Sequence, residues 1–435
     1  MLRVAKVRPG GHAYYMEVVD TGVEAPGKWL TEGSGLLGLH DEVQGADLGA
    51  VLAGVDPADG SRLGRHHDRV AVAGFDLTFC APKSVSLLHA LGEPEVAAEV
   101  RGGHEQAVRE ALGYVEQRAL AVRRSVGEGP SGGPGRAPVE AQGVAAGGFL
   151  HRTSRALDPH LHTHVVVANL GLGPDGTWSA LDGRGVYAHI GAAGSLYQVQ
   201  LRYELTRRLR VSWEPPSRGR ADICGIGPEV RREFSQRAAQ IQAHLAERGL
   251  AGGTKVPSGR ARDVAGHATR AARDPNLAPE QLRGLWEARA RDVGLSPRLL
   301  EATLDRVPRQ PERDARGADR TDWKGLETPV RRALGELDRS VTRRDTVRAW
   351  CSVLDHGAPV AEVERAADSF LEKLEPVDGW AGERDAPGVG ERRHSVTLRS
   401  IERDALAERR RMERHLAERG MSRAEDHGLG LELGL

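Results

Sequence analysis

A chain of 435 residues is too long for one small domain and predicts two or three. Its 61 Lys and Arg residues balance 61 Asp and Glu residues, so any nucleic-acid partner would have to be bound by local basic patches rather than by a global charge. Three widely spaced cysteines exclude a disulfide framework or a cysteine-based zinc site, and no apolar run has the length of a signal peptide or a membrane span. These totals predict a soluble cytoplasmic protein.

The N-terminal region predicts a short strand followed by a helix with an aromatic pair. Residues 4–7 (VAKV) suit a strand, and Tyr14 and Tyr15 follow after a Pro-Gly-Gly break. They are two of only six tyrosines. Taken alone, the pair predicts two aromatic side chains that anchor an N-terminal helix to the core. Residues 41–68 predict a polar helical stretch with turns.

The next element is a strand over residues 70–80 that carries an unusual carboxylate. Apolar side chains alternate with Asp76 and Thr78, so these two share one face of the strand. A charge in such a strand must be paired or coordinated. The alternative is a purely structural role, in which Asp76 accepts a hydrogen bond from the backbone. Pro82 then suits the first turn of a helix that continues through residues 83–91.

The middle of the chain alternates long helices with strands. The pattern predicts an amphipathic helix over 93–122, a Gly/Pro-rich flexible loop over 127–140, strands over 143–151, 161–169 and 177–181, a helix over 183–210, and short helices over 227–300. Successive strands with short connections favour an antiparallel sheet, and the flanking helices favour an α+β fold with helices on the faces of that sheet. Further helices are predicted over 326–374 and 395–419.

The stretch HRTSRALDPHLHTHVVVAN, residues 151–169, predicts a metal site. His162 and His164 stand two positions apart on one face of a strand. The Asp158–Pro159 turn lets the chain double back, so that His151 lies beside them. Three imidazoles on neighbouring strands suit a metal site that keeps open positions.

Two further side chains belong to the same neighbourhood. Asp76 is the available strand carboxylate that could orient a ligand imidazole through its second ring nitrogen. His160 shares the face of the histidine pair but sits at the strand entry, where it is expected to flank the site and touch substrate.

Two long motifs and the tyrosine pair together resemble a known family. GFDLTFCAPKSVSLLHAL (74–91), HRTSRALDPHLHTHVVVAN (151–169) and Tyr14–Tyr15 followed by Trp29 are similar to conjugative relaxases of the TrwC/MobF type, within the HUH single-strand DNA endonucleases. The resemblance covers roughly residues 1–300. It implies a relaxase-like palm in which a tyrosine attacks a phosphodiester at the nick site of a transfer origin, stays joined to the 5′ phosphate and leaves a free 3′ hydroxyl.

Carried over by position, the resemblance implies a complete site. His151, His162 and His164 match the metal ligands, Asp76 matches the strand aspartate beside them, and Tyr14 matches the first catalytic tyrosine, with Tyr15 adjacent. Family members often carry a second tyrosine pair further on, where this chain has Val-Val-Asp-Thr. The pKa values of free Asp and Tyr differ by about 6 units, roughly 8 kcal/mol, so Asp76 is better suited to orienting a histidine than to deprotonating a tyrosine.

The implied cofactor is a divalent ion, and the residues do not choose among Mg²⁺, Mn²⁺, Zn²⁺, Ni²⁺ and Co²⁺. The implied partner is single-stranded DNA of a transfer origin with its hairpin, and other proteins of the conjugation machinery are candidate partners. Residues 202–220 carry six arginines against two glutamates, and 268–274 is a second basic cluster. A solvated helix face is the default for such runs, but they also suit phosphate contacts, for which the candidates are Lys83, Arg207, Arg208, Arg210 and Arg270.

The expected domains follow from these boundaries. Residues 1–245 form the relaxase core, 246–306 a helical DNA-clamping extension, 307–325 a linker, and 326–435 a charged helical tail. Full-length family members continue into a helicase, but no GxxxxGK[ST] motif occurs here. The expected protein is a relaxase module without its motor, natural or from a truncated reading frame, that hydrolyses no ATP.

Two other interpretations stay open from the sequence. HLHTHVV (160–166) fits the HxHxHxx pattern of histidine-triad nucleotide hydrolases, which use a histidine nucleophile and no metal, although Thr163 occupies a usually apolar position. The third is a catalytically dead fragment that only binds DNA through residues 202–220 and 255–273.

Overall fold

The computed structural model describes residues 2–20, 24–64, 71–128, 134–217, 219–251, 257–269, 279–304, 321–337 and 341–374. The strands are β1 (Leu2–Val7), β2 (Lys28–Trp29), β3 (Gly74–Cys80), β4 (Ala121–Glu128), β5 (Pro134–Glu140), β6 (Gly143–Thr153), β7 (Pro159–Leu172) and β8 (Trp178–Ser179). The helices are α1 (Ala13–Asp20), α2 (Glu32–Gly35), α3 (Gly45–Leu52), α4 (Lys83–Leu91), α5 (Pro94–Ala119), α6 (Gly183–Leu209), α7 (Pro228–Glu233), α8 (Gln236–Glu247), α9 (Gly259–Ala268), α10 (Pro279–Asp292), α11 (Pro297–Leu304), α12 (Glu327–Gly335), α13 (Arg343–Val353) and α14 (Val360–Leu371). Over these residues, no helix combines the length and the apolar character needed to cross a bilayer.

The molecule is organised around an antiparallel sheet in the order β1-β3-β7-β6-β2, with β8 paired to the end of β7. The longest strand, β7, lies in the middle, because its Val-rich run can be buried on both faces. Helices pack on the sheet, and more helices follow it in the chain. The predicted α+β class with an antiparallel sheet is confirmed.

The two faces of the sheet bury different side chains because strand residues alternate. On one face, residues such as Leu77, Phe79 and Leu161 join a large apolar core with α4, α5 and α6. On the other face, residues such as Phe149 and Val166 join a smaller core with α1 and α3. The histidine pair of β7 lies on this second face, which the N-terminal helix covers only in part.

The prediction of a flexible loop over 127–140 is wrong at both ends. Residues 127–128 belong to β4, and residues 129–133 lie outside the described residues. Residues 134–140 form β5, which pairs with β4 in a separate two-stranded sheet. Pro134 and Pro138 lack the N–H group that a central strand needs, but both strands of a two-stranded ribbon are edges, where proline is tolerated. The predicted helix over 93–122 ends at Ala119, and β4 begins two residues later at Ala121.

Helices α13 and α14 pack against α6. Arg202 on α6 is 1% exposed, and its guanidinium donates hydrogen bonds to the backbone carbonyls of Cys351 and Leu354. Gly357 has a φ of +83°, and a side chain there would meet the backbone of α6 at 2.3 Å, so only glycine fits this approach. Most of the predicted linker over 307–325 and the whole predicted helix over 395–419 lie outside the described residues, so the proposed domain boundaries stay predictions.

Candidate metal centre and tyrosine pair

The three predicted ligands meet on adjacent strands of the sheet. The register pairs His151 of β6 directly with His162 of β7, and His164 follows two positions along the same face. One ring nitrogen from each of the three lies within 4.8 Å of the other two, and the ring centroids are 4.9 to 5.1 Å apart. This spacing lets three imidazoles point at one cation.

Hydrogen bonds select the ring tautomers that a metal needs. The Nδ1 atom of His162 lies 2.8 Å from the carbonyl oxygen of His160, and a carbonyl can only accept, so Nδ1 carries the proton. The Nδ1 atom of His164 lies 2.8 Å from Oδ2 of Asp76, a carboxylate that also accepts. In both rings the Nε2 lone pair is therefore available for a ligand bond. Three imidazoles fit a divalent ion such as Zn²⁺, Mn²⁺, Ni²⁺ or Co²⁺.

Asp76 joins the histidine cluster to the tyrosine pair. Its carboxylate accepts a hydrogen bond from the hydroxyl of Tyr15 at 3.0 Å, and another from the hydroxyl of Thr78 at 3.1 Å, in addition to the bond from His164. Asp76 is 7% exposed, so these donors replace the water that a surface carboxylate would bind.

The two tyrosines lie beside the histidines but in different environments. The ring centroids of Tyr14 and Tyr15 are 6.4 and 5.8 Å from that of His164. Tyr15 is buried, its ring stacked on Phe149 at 5.5 Å and its hydroxyl held by Asp76. Tyr14 is half-buried, and its hydroxyl oxygen accepts a hydrogen bond from Arg155 at 3.1 Å. Tyr14 is thus the better placed of the two to meet a substrate.

The entry of β7 carries two further titratable groups. The ring of His160 stacks on His162 with centroids 4.6 Å apart, and burial lowers the pKa of His160 well below its ordinary value, so the ring is neutral. The ammonium group of Lys83 donates to the carbonyl of Pro159 at 2.6 Å, and burial lowers the pKa of Lys83 to about 8. This hydrogen bond joins the start of α4 to the start of β7.

The arginines predicted to bind DNA are not part of this cluster. Arg207 and Arg208 lie on α6, which packs on the other face of the sheet, and both pair with Glu204. Arg208 also pairs with Glu99. Arg210 ends α6 with a φ of +53°. Arg270 lies outside the described residues. The same basic run includes Arg202, which is buried.

Sequence analysis missed Arg155, which contacts Tyr14. It lies in the turn between β6 and β7, inside the histidine motif. Its position four residues after His151, a predicted ligand, was the one indication in the sequence that Arg155 could belong to the site. The partner is 141 positions away in the chain, and only the fold brings the two side chains together.

Comparisons with known proteins agree with this geometry. The profile of a family described as TrwC relaxase matches residues 3–293. Two solved structures of the conjugative relaxase TrwC in complex with OriT DNA, one metal-free and one metal-bound, superpose with TM-scores of 0.59 and 0.60 at 29% identity. They cover 68% of this chain, and the match spans 100% and 99% of theirs. A third TrwC structure, with a 27-mer DNA that comprises the recognition hairpin and the cleavage site, has a TM-score of 0.58.

Two curated proteins are similar over a longer part of the chain. The multifunctional conjugation protein TraI of Escherichia coli is 30% identical over 372 residues, which is 82% of this chain and 20% of TraI. TraI of Escherichia coli strain K12 is 30% identical over 320 residues, covering 70% of this chain and 17% of that protein. The chain therefore spans about a fifth of the length of these relatives.

Proposed function

The chain belongs to the TrwC relaxase family, and we propose that it nicks one strand of DNA at a transfer origin and rejoins it. The observation that carries the proposal is the juxtaposition of a tyrosine pair, a buried aspartate and three histidines at one end of the sheet. The TrwC structures described as complexes with OriT DNA support single-stranded origin DNA with its hairpin as the substrate. The histidine-triad alternative leaves the tyrosines and Asp76 without a role.

Tyr14 is the proposed nucleophile. Its hydroxyl oxygen attacks the phosphorus of the scissile phosphodiester, and the bond from phosphorus to the 3′ oxygen breaks. The 3′ oxygen leaves as a hydroxyl after it gains the proton that the tyrosine loses. The 5′ phosphate stays joined to Tyr14 as a phosphodiester, which stores the bond energy so that the reverse reaction can reseal the strand.

Tyr15 has a supporting role in this proposal. Its burial, its stacking on Phe149 and its hydrogen bond to Asp76 hold the first turn of α1 against the sheet. Because Tyr14 is the neighbouring residue, the same contacts fix the direction from which Tyr14 approaches the histidines.

His151, His162 and His164 are the proposed ligands of a divalent metal. When bound, such an ion polarises the scissile phosphate and offsets the charge that develops on its oxygens. The chain contributes the ligand geometry and the tautomers, with Asp76 holding His164 and the His160 carbonyl holding His162. The metal-bound TrwC structure supports this assignment.

The DNA path beyond the site is a separate proposal. Residues 246–306 would clamp the strand, and Arg207, Arg210 and Arg270 would contact phosphates. Arg207 and Arg208 would have to exchange carboxylate partners for a phosphate, and Lys83 its carbonyl partner, so we expect smaller effects from these three than from Arg210 and Arg270.

The test is formation of a covalent protein–DNA adduct. An oligonucleotide with the cognate hairpin and nick site is incubated with the protein and Mn²⁺ or Mg²⁺, and the adduct is resolved on a denaturing gel. Wild type should form the adduct, and a chelator should stop it. Tyr14→Phe should lower the rate at least about 1000-fold, because the attacking oxygen is gone. Tyr15→Phe should retain measurable activity.

The matched control is Tyr187→Phe, an exposed tyrosine on α6, which should behave as wild type. If the intact protein forms no adduct with its own origin sequence, the nicking proposal is wrong. Salt-dependent binding of that DNA without an adduct would instead support the DNA-binding fragment.

A further inference from the structure

We infer that Arg155 is the positioning residue for the nucleophile, held in place by the contacts that its turn makes with α8 and α10. The inference rests on the proposed function, since it assigns to Arg155 the task of orienting the Tyr14 hydroxyl. It adds a link between the tyrosine and α10 that the metal site by itself does not require.

The contact of Arg155 with Tyr14 has two components. Nη2 of Arg155 donates to the Tyr14 hydroxyl oxygen at 3.1 Å. The guanidinium carbon also lies 5.5 Å from the centroid of the Tyr14 ring, within the range of a cation–π interaction. A planar guanidinium can make both contacts at once, whereas the compact ammonium of a lysine has no such fork. Together they restrict the rotation of the Tyr14 side chain.

The turn that carries Arg155 is itself rigid. The Ser154 hydroxyl accepts hydrogen bonds from the backbone N–H groups of Ala156 and Asp158, both at 3.2 Å. The Ser154 N–H donates to the Asp158 carbonyl at 2.9 Å, and Leu157 closes the turn with a φ of +59°. Arg155 thus projects from a backbone whose hydrogen bonds are made within the turn.

Two later helices fix this turn from outside. The carboxylate of Asp158, 1% exposed, accepts from the backbone N–H of Gln236 at 2.8 Å and from the guanidinium of Arg289 on α10 at 3.2 Å. The indole N–H of Trp286, also on α10, donates to the Leu157 carbonyl at 2.7 Å. A displacement of α10 would therefore move the turn and, with it, the guanidinium on Tyr14.

The first measurement separates positioning from DNA binding. Adduct formation is followed at saturating origin DNA, and the Kd for that DNA is measured with a Tyr14→Phe background that cannot react. In Arg155→Met the rate at saturation should fall about 10-fold to 100-fold, since a small misplacement of a reacting atom has effects of that size. The Kd should stay within about 2-fold of the value for the background protein. Arg155→Lys should recover part of the rate.

The second measurement reports the order of the Tyr14 side chain in the absence of the reaction. 3-Fluorotyrosine is placed at position 14 of the full chain, and its ¹⁹F resonance is recorded without DNA. Arg155→Met should shift and narrow the resonance toward that of the unfolded chain. Trp286→Phe, which keeps an aromatic side chain but loses the indole N–H, should move it in the same direction by less. Arg101→Met is the matched control on α5, 55% exposed and on the other side of the sheet, and should leave the resonance unchanged.

The outcomes are distinct from those of the nicking test. An unchanged ¹⁹F resonance in Arg155→Met overturns the inference even if wild type nicks DNA. A weaker Kd with an unchanged rate at saturation also overturns it, because Arg155 would then be a DNA contact. If wild type forms no adduct, the proposed function fails, while the resonance still decides whether Arg155 orders Tyr14.

Discussion

The carboxylate of Asp76 connects the parts of this site through the hydrogen bonds that it accepts. Asp76 receives donors from His164, Tyr15 and Thr78, which belong to β7, α1 and its own strand. Any change at Asp76 therefore acts on the proposed metal ligand and on the tyrosine pair together. A carboxylate behind a ligand imidazole also raises the basicity of the ring, which strengthens the ligand bond.

Metal affinity tests this role of Asp76. In Asp76→Asn the amide presents only one acceptor oxygen where the carboxylate presents two, so affinity for Zn²⁺ or Mn²⁺ should fall about 10-fold to 100-fold. Isothermal titration calorimetry on the folded protein measures it. The control Thr78→Val removes one donor to Asp76 and a 3.3 Å contact with Nδ1 of His164, but it keeps the carboxylate that accepts from His164, so it should change the affinity much less. Equal affinities for Asp76→Asn and wild type would contradict the role.

At the scale of elements, β7 serves two purposes because its faces alternate. Between His162 and His164, Thr163 points to the opposite face, where its hydroxyl lies 2.8 Å from Nε2 of His104 on α5. Nδ1 of His104 in turn lies 2.8 Å from the hydroxyl of Tyr197 on α6. Burial lowers the pKa of His104 to about 3, so this ring is neutral and joins the strand to both helices.

Helix α5 also carries a carboxyl group whose burial predicts a pH effect on stability. Burial raises the pKa of Glu116 from 4.5 to about 7, and the charge of Glu32 acts in the same direction. The folded state then binds the proton more tightly than the unfolded state, so the stability contributed by this group is lost as pH rises from 4.5 to 7. The loss is at most about 3 kcal/mol above pH 7.

Glu116→Gln should therefore be more stable than wild type at pH 8, by about 1 to 3 kcal/mol. The difference should shrink as pH falls to 5, where the wild-type carboxyl is protonated in the folded state. Urea unfolding at the two pH values measures it. Glu105→Gln, at an exposed position of the same helix, should show no comparable pH-dependent difference. A Glu116→Gln protein equal to wild type at pH 8 would contradict the prediction.

On the scale of the whole molecule, α6 connects the sheet to the C-terminal helices. Its inner face packs on the sheet through residues such as Tyr197, and its outer face receives α13 and α14. Gln200 accepts a hydrogen bond from the backbone N–H of Val360 at 2.8 Å, beside the carbonyl contacts of Arg202. These helices follow the residues matched by the TrwC relaxase profile, yet their contacts with α6 are buried.

Replacement of Arg202 tests how firmly these helices are docked. Burial lowers the pKa of Arg202 to about 10, and its guanidinium donates to three backbone carbonyls, those of Gly219, Cys351 and Leu354. Arg202→Met leaves those carbonyls without their donor and should lower the free energy of unfolding by about 2 to 4 kcal/mol. Urea unfolding measures the loss, and limited proteolysis should cut first within residues 341–374. Arg332→Met on α12, at an exposed position, is the control and should change neither.

The sequence by itself determined the convergence of the three histidines and the fold class. The i, i+2 spacing of His162 and His164 requires a shared face in any strand, and the turn at Asp158–Pro159 lets the chain double back so that His151 can lie beside them. The prolines of β5 led to the wrong prediction of a loop over 127–140. A strand tolerates proline mainly at the edge of a sheet, and the local sequence does not show whether a strand is an edge.

Only the tertiary structure decided which tyrosine is accessible, which guanidinium holds it, and which arginines are surface charges. Arg155 and Arg202 look alike in the sequence, yet one contacts Tyr14 and the other is buried under the C-terminal helices. Tyr14, the partner of Arg155, and Cys351, one partner of Arg202, are each more than a hundred positions away from these arginines along the chain. Periodicity records the two faces of an element, whereas contacts between distant elements depend on how those faces pack, and no local pattern encodes that packing.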